Sequence, residues 1–109
     1  METIDTQERL NELIENQEGL LLYFSNDGCN VCKVLKPKVK EMLDEQFPKM
    51  HMGYVDTEHS PLLSGQHRVF TIPTILLFFM GKEQQRFSRN ISLYQLEESI
   101  AKPYGMIFE

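Results

Sequence analysis

Two nearly unbroken apolar runs constrain this chain most: Leu20-Leu21-Leu22-Tyr23-Phe24 and Ile75-Leu76-Leu77-Phe78-Phe79. Each is strand-sized and apolar at odd and even positions alike. A sheet built on such runs must be covered on both faces, which points to an α/β arrangement rather than a half-solvated antiparallel sheet. The surrounding segments supply the cover. Asp5 to Gln17 reads as a helix, with Asp5 as cap, Glu8 completing a capping box, Leu10, Leu13 and Ile14 on one face, and Gly19 as its close. Val31, Leu35, Val39, Met42, Leu43 and Phe47 recur at helical spacing around Pro37, which is expected to kink that helix.

Met52 to Val55 reads as another strand, and Asp56 to Gln66 as a helical or irregular connection broken by Pro61 and Gly65. Pro73 opens the second apolar run, and Gly81-Lys82 turns it into a more polar edge strand, Glu83 to Ser88. Ser92, with Gln95 three residues on, starts a last helix that Pro103 is expected to stop. The apolar tail Tyr104-Gly105-Met106-Ile107-Phe108 either packs on the domain or meets a partner chain. Strand–helix–strand units imply a parallel pair, and the Gly81 hairpin adds an antiparallel strand. The expected architecture is a mixed sheet with helices on both faces. With no repeat, low-complexity stretch or linker, residues 1–109 read as one domain.

Charge and hydropathy exclude several function classes. The formal net charge is −5, so there is no basic footprint for nucleic acid and little attraction to an anionic membrane. The longest apolar run, Ile75 to Met80, is far short of a membrane span. The start METIDTQERL lacks the basic and apolar blocks of a secretory signal, giving a cytoplasmic expectation.

The two cysteines carry the chemistry. They stand three apart, as Cys29-Asn30-Val31-Cys32, behind the turn cluster Ser25-Asn26-Asp27-Gly28 and at the start of a helix. A bridge across so short a loop restricts the unfolded chain very little, so the spacing suits reactivity better than stapling. A helix N-terminus favours the thiolate, and Cys29 is expected to ionise below the free-thiol value of about 8.5. Cys29 would attack a substrate disulfide, and Cys32 would attack the Cys29 sulfur and release the reduced substrate. A structural zinc is the weaker alternative. One Cys-x-x-Cys supplies two of four ligands, and His51, His59 and His67 match no finger spacing. An inert buried pair is the other alternative.

Taken with Ile72-Pro73-Thr74 about forty residues later, Lys33 after the second cysteine, Pro37 in the same helix, Asp56 ending a strand and Gly81 in the hairpin, the chain resembles the thioredoxin family from Leu20 to about Ile100. The resemblance implies the thioredoxin fold. Because only Glu2 to Ile4 precede the first helix, four strands are expected, with at most a rudimentary fifth. It also implies a cis Ile72–Pro73 bond facing the cysteines, and a substrate-docking surface of Val31, Thr71, Ile72 and Pro73. The implied activity is thiol–disulfide exchange on protein disulfides, with a separate thiol reductant or reductase as electron source and no cofactor or metal within the chain.

Some positions depart from the family pattern. Gly28 stands where relatives carry Trp, and Asn30-Val31 fills the space between the cysteines. Tyr23 and Met52 align with a buried Asp-Lys pair, and Arg89 with a glycine beside the docking groove. These departures motivate a second reading, a peptide-binding or redox-switch module with little turnover.

Overall fold

A computed structural model describes all residues, Met1–Glu109. The chain forms, in order, β1 (Glu2–Thr3), α1 (Gln7–Asn16), β2 (Gly19–Ser25), α2 (Asn30–Gln46), β3 (His51–Asp56), α3 (Pro61–Gln66), β4 (Thr74–Phe79), β5 (Lys82–Ser88) and α4 (Leu93–Phe108). One five-stranded sheet runs β1-β3-β2-β4-β5. β3 pairs parallel with both β1 and β2, whereas β4 pairs antiparallel with β2 and β5. The fifth strand is the rudimentary one the short N-terminus allows. β1 has two residues, continued by the Ile4 N–H donating to the Tyr54 carbonyl at 2.8 Å.

The two apolar runs are the sheet's centre, β2 and β4, and every residue of both is buried. Their alternate side chains divide between two cores. Leu21, Tyr23, Ile75, Leu77 and Phe79 meet Val39, Met42 and Leu43 of α2 and Leu96, Ile100 and Tyr104 of α4. Leu20, Leu22, Phe24, Leu76 and Phe78 meet Leu10 and Leu13 of α1 and Leu63 of α3. Each such leucine or phenylalanine stabilises the fold by about 1.5–3 kcal/mol through burial. β5, at the sheet's edge, is exposed along its length, and only Phe87 is partly covered.

Several boundaries differ from those expected. The α1 cap is Thr6, not Asp5: the Thr6 hydroxyl accepts from the Arg9 N–H at 3.1 Å. Gly19 does not close α1 but opens β2, where a Cβ would lie 2.5 Å from the Met50 sulfur. Pro61 starts α3 instead of breaking the connection, because a helix's first turn needs no proline N–H. α2 runs through Pro37 without interruption.

The largest correction is at Pro103, which lies inside α4 and does not stop it. The tail after it packs on the chain's own core. Tyr104 is buried edge-on to Phe47 with ring centroids 5.1 Å apart, and its ring lies 4.7 Å from that of Phe108. No helix is long and apolar enough to cross a membrane.

Candidate active site

The site lies where β2, the strand at which the sheet changes from parallel to antiparallel pairing, ends and α2 begins. Open sheets leave a crevice at such a carboxyl end. The turn between them is built from its own side chains. The Asn26 Oδ1 accepts from the Gly28 N–H at 2.9 Å, and the Asn26 carbonyl accepts from the Cys29 N–H at 3.2 Å. That lands Cys29 at the N-cap position of α2, in extended backbone, with Asn30, Val31 and Cys32 in the first turn.

The two sulfurs are joined as a disulfide, with Cα atoms 5.3 Å apart, inside the range a bridge requires. Their environments differ. Cys29 is half-buried, whereas Cys32 is 1% exposed within the core under α2. The Cys29 Sγ takes the place of a capping oxygen, accepting the Cys32 N–H at 3.2 Å. A helix start has unpaired N–H groups and partial positive charge, so negative charge on this sulfur is stabilised.

Ile72–Pro73 is a cis peptide bond. Ile72 and Cys29 both pack on the core cluster that contains Cys32. Pro73 itself is buried, and Thr71 and Ile72 are half-buried. The expected docking residues are divided between two concavities. Thr71 and Ile72 line one with Phe70, which is 82% exposed. Val31 lines the other, a groove of about 610 Å³ shared with Val34, Leu35 and Lys38 of α2 and with the segment Arg89–Ser92.

Val31 was expected at the head of the apolar face of α2, but it is 64% exposed, and the buried stripe starts instead at Cys32. Val34, Lys38 and Phe70 were not singled out from sequence. Val31, Val34, Leu35 and Lys38 follow one i, i+3, i+4, i+7 row, so the spacing held the signal. Only the packing of α2 on the sheet shows that this row faces outward.

Tyr23 sits beneath the pair, fully buried, and its hydroxyl donates to the Cys32 carbonyl at 3.0 Å. Burial pushes its pKa up to about 12, so it stays a neutral donor near pH 7. Met52, the other departure, is also buried. The buried polar side chains besides tyrosine are Ser25, Ser60, Ser64 and Thr74. Cys32 therefore has no buried carboxylate to take its proton. No three His, Cys, Asp or Glu residues come together in a metal-holding group.

The thioredoxin family's sequence profile matches residues 2–102. A thioredoxin-like protein, YdfQ, of Bacillus subtilis is 32% identical over 97 residues, covering 89% of this chain and 86% of that protein. The thioredoxin of Chlamydia trachomatis is 35% identical over 86 residues, covering 79% and 82%. Among solved structures, the thioredoxin of Fasciola hepatica superposes with a TM-score of 0.84 at 26% identity, covering 94% of this chain and 98% of that one.

Proposed function

The chain belongs to the thioredoxin family and is a thiol–disulfide oxidoreductase; from that premise we propose that Cys29 is its nucleophile, Cys32 its resolving thiol, and Val31, Thr71, Ile72 and Pro73 the docking surface for protein disulfides. One observation carries the division of labour. The Cys29 sulfur is half-open at the end of α2 and takes a helix N–H, while the Cys32 sulfur is buried behind it.

In the reduced protein the Cys29 thiolate attacks one sulfur of a substrate disulfide. The substrate S–S bond breaks, a mixed disulfide forms, and one substrate thiolate leaves. Cys32 then loses its proton and attacks the Cys29 Sγ. The mixed disulfide breaks, the second substrate thiolate leaves, and the Cys29–Cys32 bond closes. Two electrons have passed from protein to substrate, and the two thiolates take up two protons. Run backwards, the same steps oxidise a dithiol. With no buried base under Cys32, its proton passes to solvent or to the departing thiolate.

The half-buried Ile72 beside Pro73 would offer its backbone groups to an extended substrate segment laid along the site. A separate thiol reductant or reductase would return the pair to the dithiol, and the cytoplasm, where thiols are kept reduced, is the proposed compartment. Residues 1–109 are proposed to act as one domain, supported by a single sheet with helices on both faces.

Cysteine replacement tests the assignment. With a disulfide-bonded protein substrate, Cys32→Ser is expected to accumulate a mixed disulfide through Cys29, seen as a mass adduct that dithiothreitol removes. Cys29→Ser is expected to form none and to lose turnover. Undiminished turnover in Cys29→Ser, or adducts on Cys32 in the wild-type protein, would overturn it.

A further inference from the structure

The groove beside the cysteines is lined by basic residues in an otherwise acidic chain. The whole chain has 16 acidic against 11 basic residues. Between Gly28 and Lys40, however, there are four lysines and no carboxylate: Lys33, Lys36, Lys38 and Lys40. Two of these are engaged elsewhere. Lys40 is bonded to Asp44 at 2.7 Å, and the Lys36 ammonium lies 4.2 Å from the centre of the Tyr54 ring.

Lys38 lines the groove from α2, Arg89 lines it from the segment that follows β5, and neither is in an ion pair. The floor between them is apolar, made by Val31, Val34, Leu35 and Ile91, and no carboxylate lines it. Val31, which lies between the cysteines, ties this groove directly to the reacting sulfurs.

Arg89 is held in place by an unusual backbone. Its φ is +63°, in the left-handed region where a Cβ is crowded, and its N–H donates to the Pro73 carbonyl at 2.9 Å. The fold thus fixes an arginine, at a position where glycine would be less strained, against the carbonyl of the cis proline. Strained residues of this kind gather at ligand-contacting sites.

Resting on the oxidoreductase reading above, we propose that Lys38 and Arg89 make this protein select disulfides in acidic polypeptide segments. An aliphatic substrate side chain covers the Val31–Ile91 floor, and an aspartate or glutamate close to the attacked cysteine meets the two cations. At an open rim such charges act mainly on encounter and on the choice of partner, and salt weakens them.

Three synthetic peptides test the proposal. Each carries one disulfide, and they are identical except for Glu, Gln or Lys beside the cysteine to be attacked. Their reduction by the dithiol protein is followed by thiol release at low and high ionic strength. The expected kcat/KM for the Glu peptide exceeds that for the Lys peptide by about tenfold at low salt, the ratio shrinking toward one as salt rises. In Arg89→Gly with Lys38→Gln the ratio is expected to fall near one at every salt concentration, while Arg89→Lys keeps most of it. Glycine suits the left-handed backbone, and an unchanged thermal transition would show that the variant is folded. Reduction of all three peptides at one rate, or a preference that survives the double variant, would overturn the charge selection alone. Reduction of none would overturn the oxidoreductase reading and this inference with it.

Discussion

The Tyr23 hydroxyl donates to the Cys32 carbonyl, joining the centre of the sheet to the helix turn that carries the resolving sulfur. Its titration has a definite sign. The folded pKa of about 12 lies above the value of about 10 for an unfolded tyrosine. The contribution is therefore complete below pH 10 and is lost as pH rises from about 10 to about 12, roughly 2–3 kcal/mol in all. Tyr54, also raised by burial, acts in the same direction. Urea unfolding is expected to show stability falling through that window. Tyr23→Phe should cost about 1 kcal/mol at pH 7 and flatten part of the alkaline fall. An alkaline fall as steep in Tyr23→Phe as in the wild type would contradict this.

At the residue scale, the Cys29–Cys32 pair was legible because its residue types and spacing imply chemistry by themselves, whereas the cis bond at Pro73 followed only from the family resemblance. Val34 and Lys38 were not legible. Their role depends on which side of α2 the sheet covers, and that is settled by residues far away in the sequence.

Among the elements, α4 shows most clearly what local reading misses. A proline inside a helix costs about 3 kcal/mol or more, by removing a donor and crowding the preceding turn. Against that, α4 buries Tyr104 on Phe47 and sets the tilted Phe108 ring beside it, while the Tyr104 hydroxyl accepts the Lys49 N–H at 3.1 Å. Tertiary burial wins, so the helix continues past Pro103. Tyr104→Ala is expected to lower the unfolding free energy by about 3 kcal/mol in a urea titration, and a loss under 1 kcal/mol would contradict the packing account.

β1, two residues long, depends on side chains. The Glu2 carboxylate takes the Arg9 guanidinium at 2.6 and 2.9 Å and the His51 ring at 3.0 Å. The Arg9 bond first, then His51, holds the Glu2 pKa down to about 2. A depressed carboxylate contributes above its unfolded pKa of about 4.3 and loses that contribution as pH falls toward 2. Solvent screening keeps the gain under about 1 kcal/mol. Glu2→Gln should therefore speed hydrogen exchange at the Ile4 amide at pH 7, with the difference from wild type closing near pH 2. An unchanged Ile4 rate at pH 7 would contradict the clamp.

For the molecule as a whole, the two fully apolar strands were sufficient to require a two-sided sheet, and the β2–α2–β3 order implied one parallel pair. The antiparallel run of β4 beside β2, despite the helix α3 before it, was not legible from segment order. The fifth strand was the least legible part. A two-residue β1 has no periodicity to detect, and it exists because Ile4 and Glu2 find partners on β3 and α1. The separation of Val31 from Thr71 and Ile72, proposed as docking residues, into two concavities was also hidden, since it arises where separated segments meet. In return, the sheet fixes both sulfurs: it ends β2 where α2 begins, buries Cys32 and leaves Cys29 half-open. The central claim is that this pair is a reversible two-electron couple. Equilibrating the protein across ratios of reduced to oxidised glutathione, quenching with acid, alkylating and weighing it measures this directly. The account predicts one transition between a doubly alkylated dithiol and an unalkylated Cys29–Cys32 disulfide, absent in Cys29→Ser. Two thiols that stay alkylatable at every ratio, or oxidation that stops at separate glutathione adducts, would contradict it.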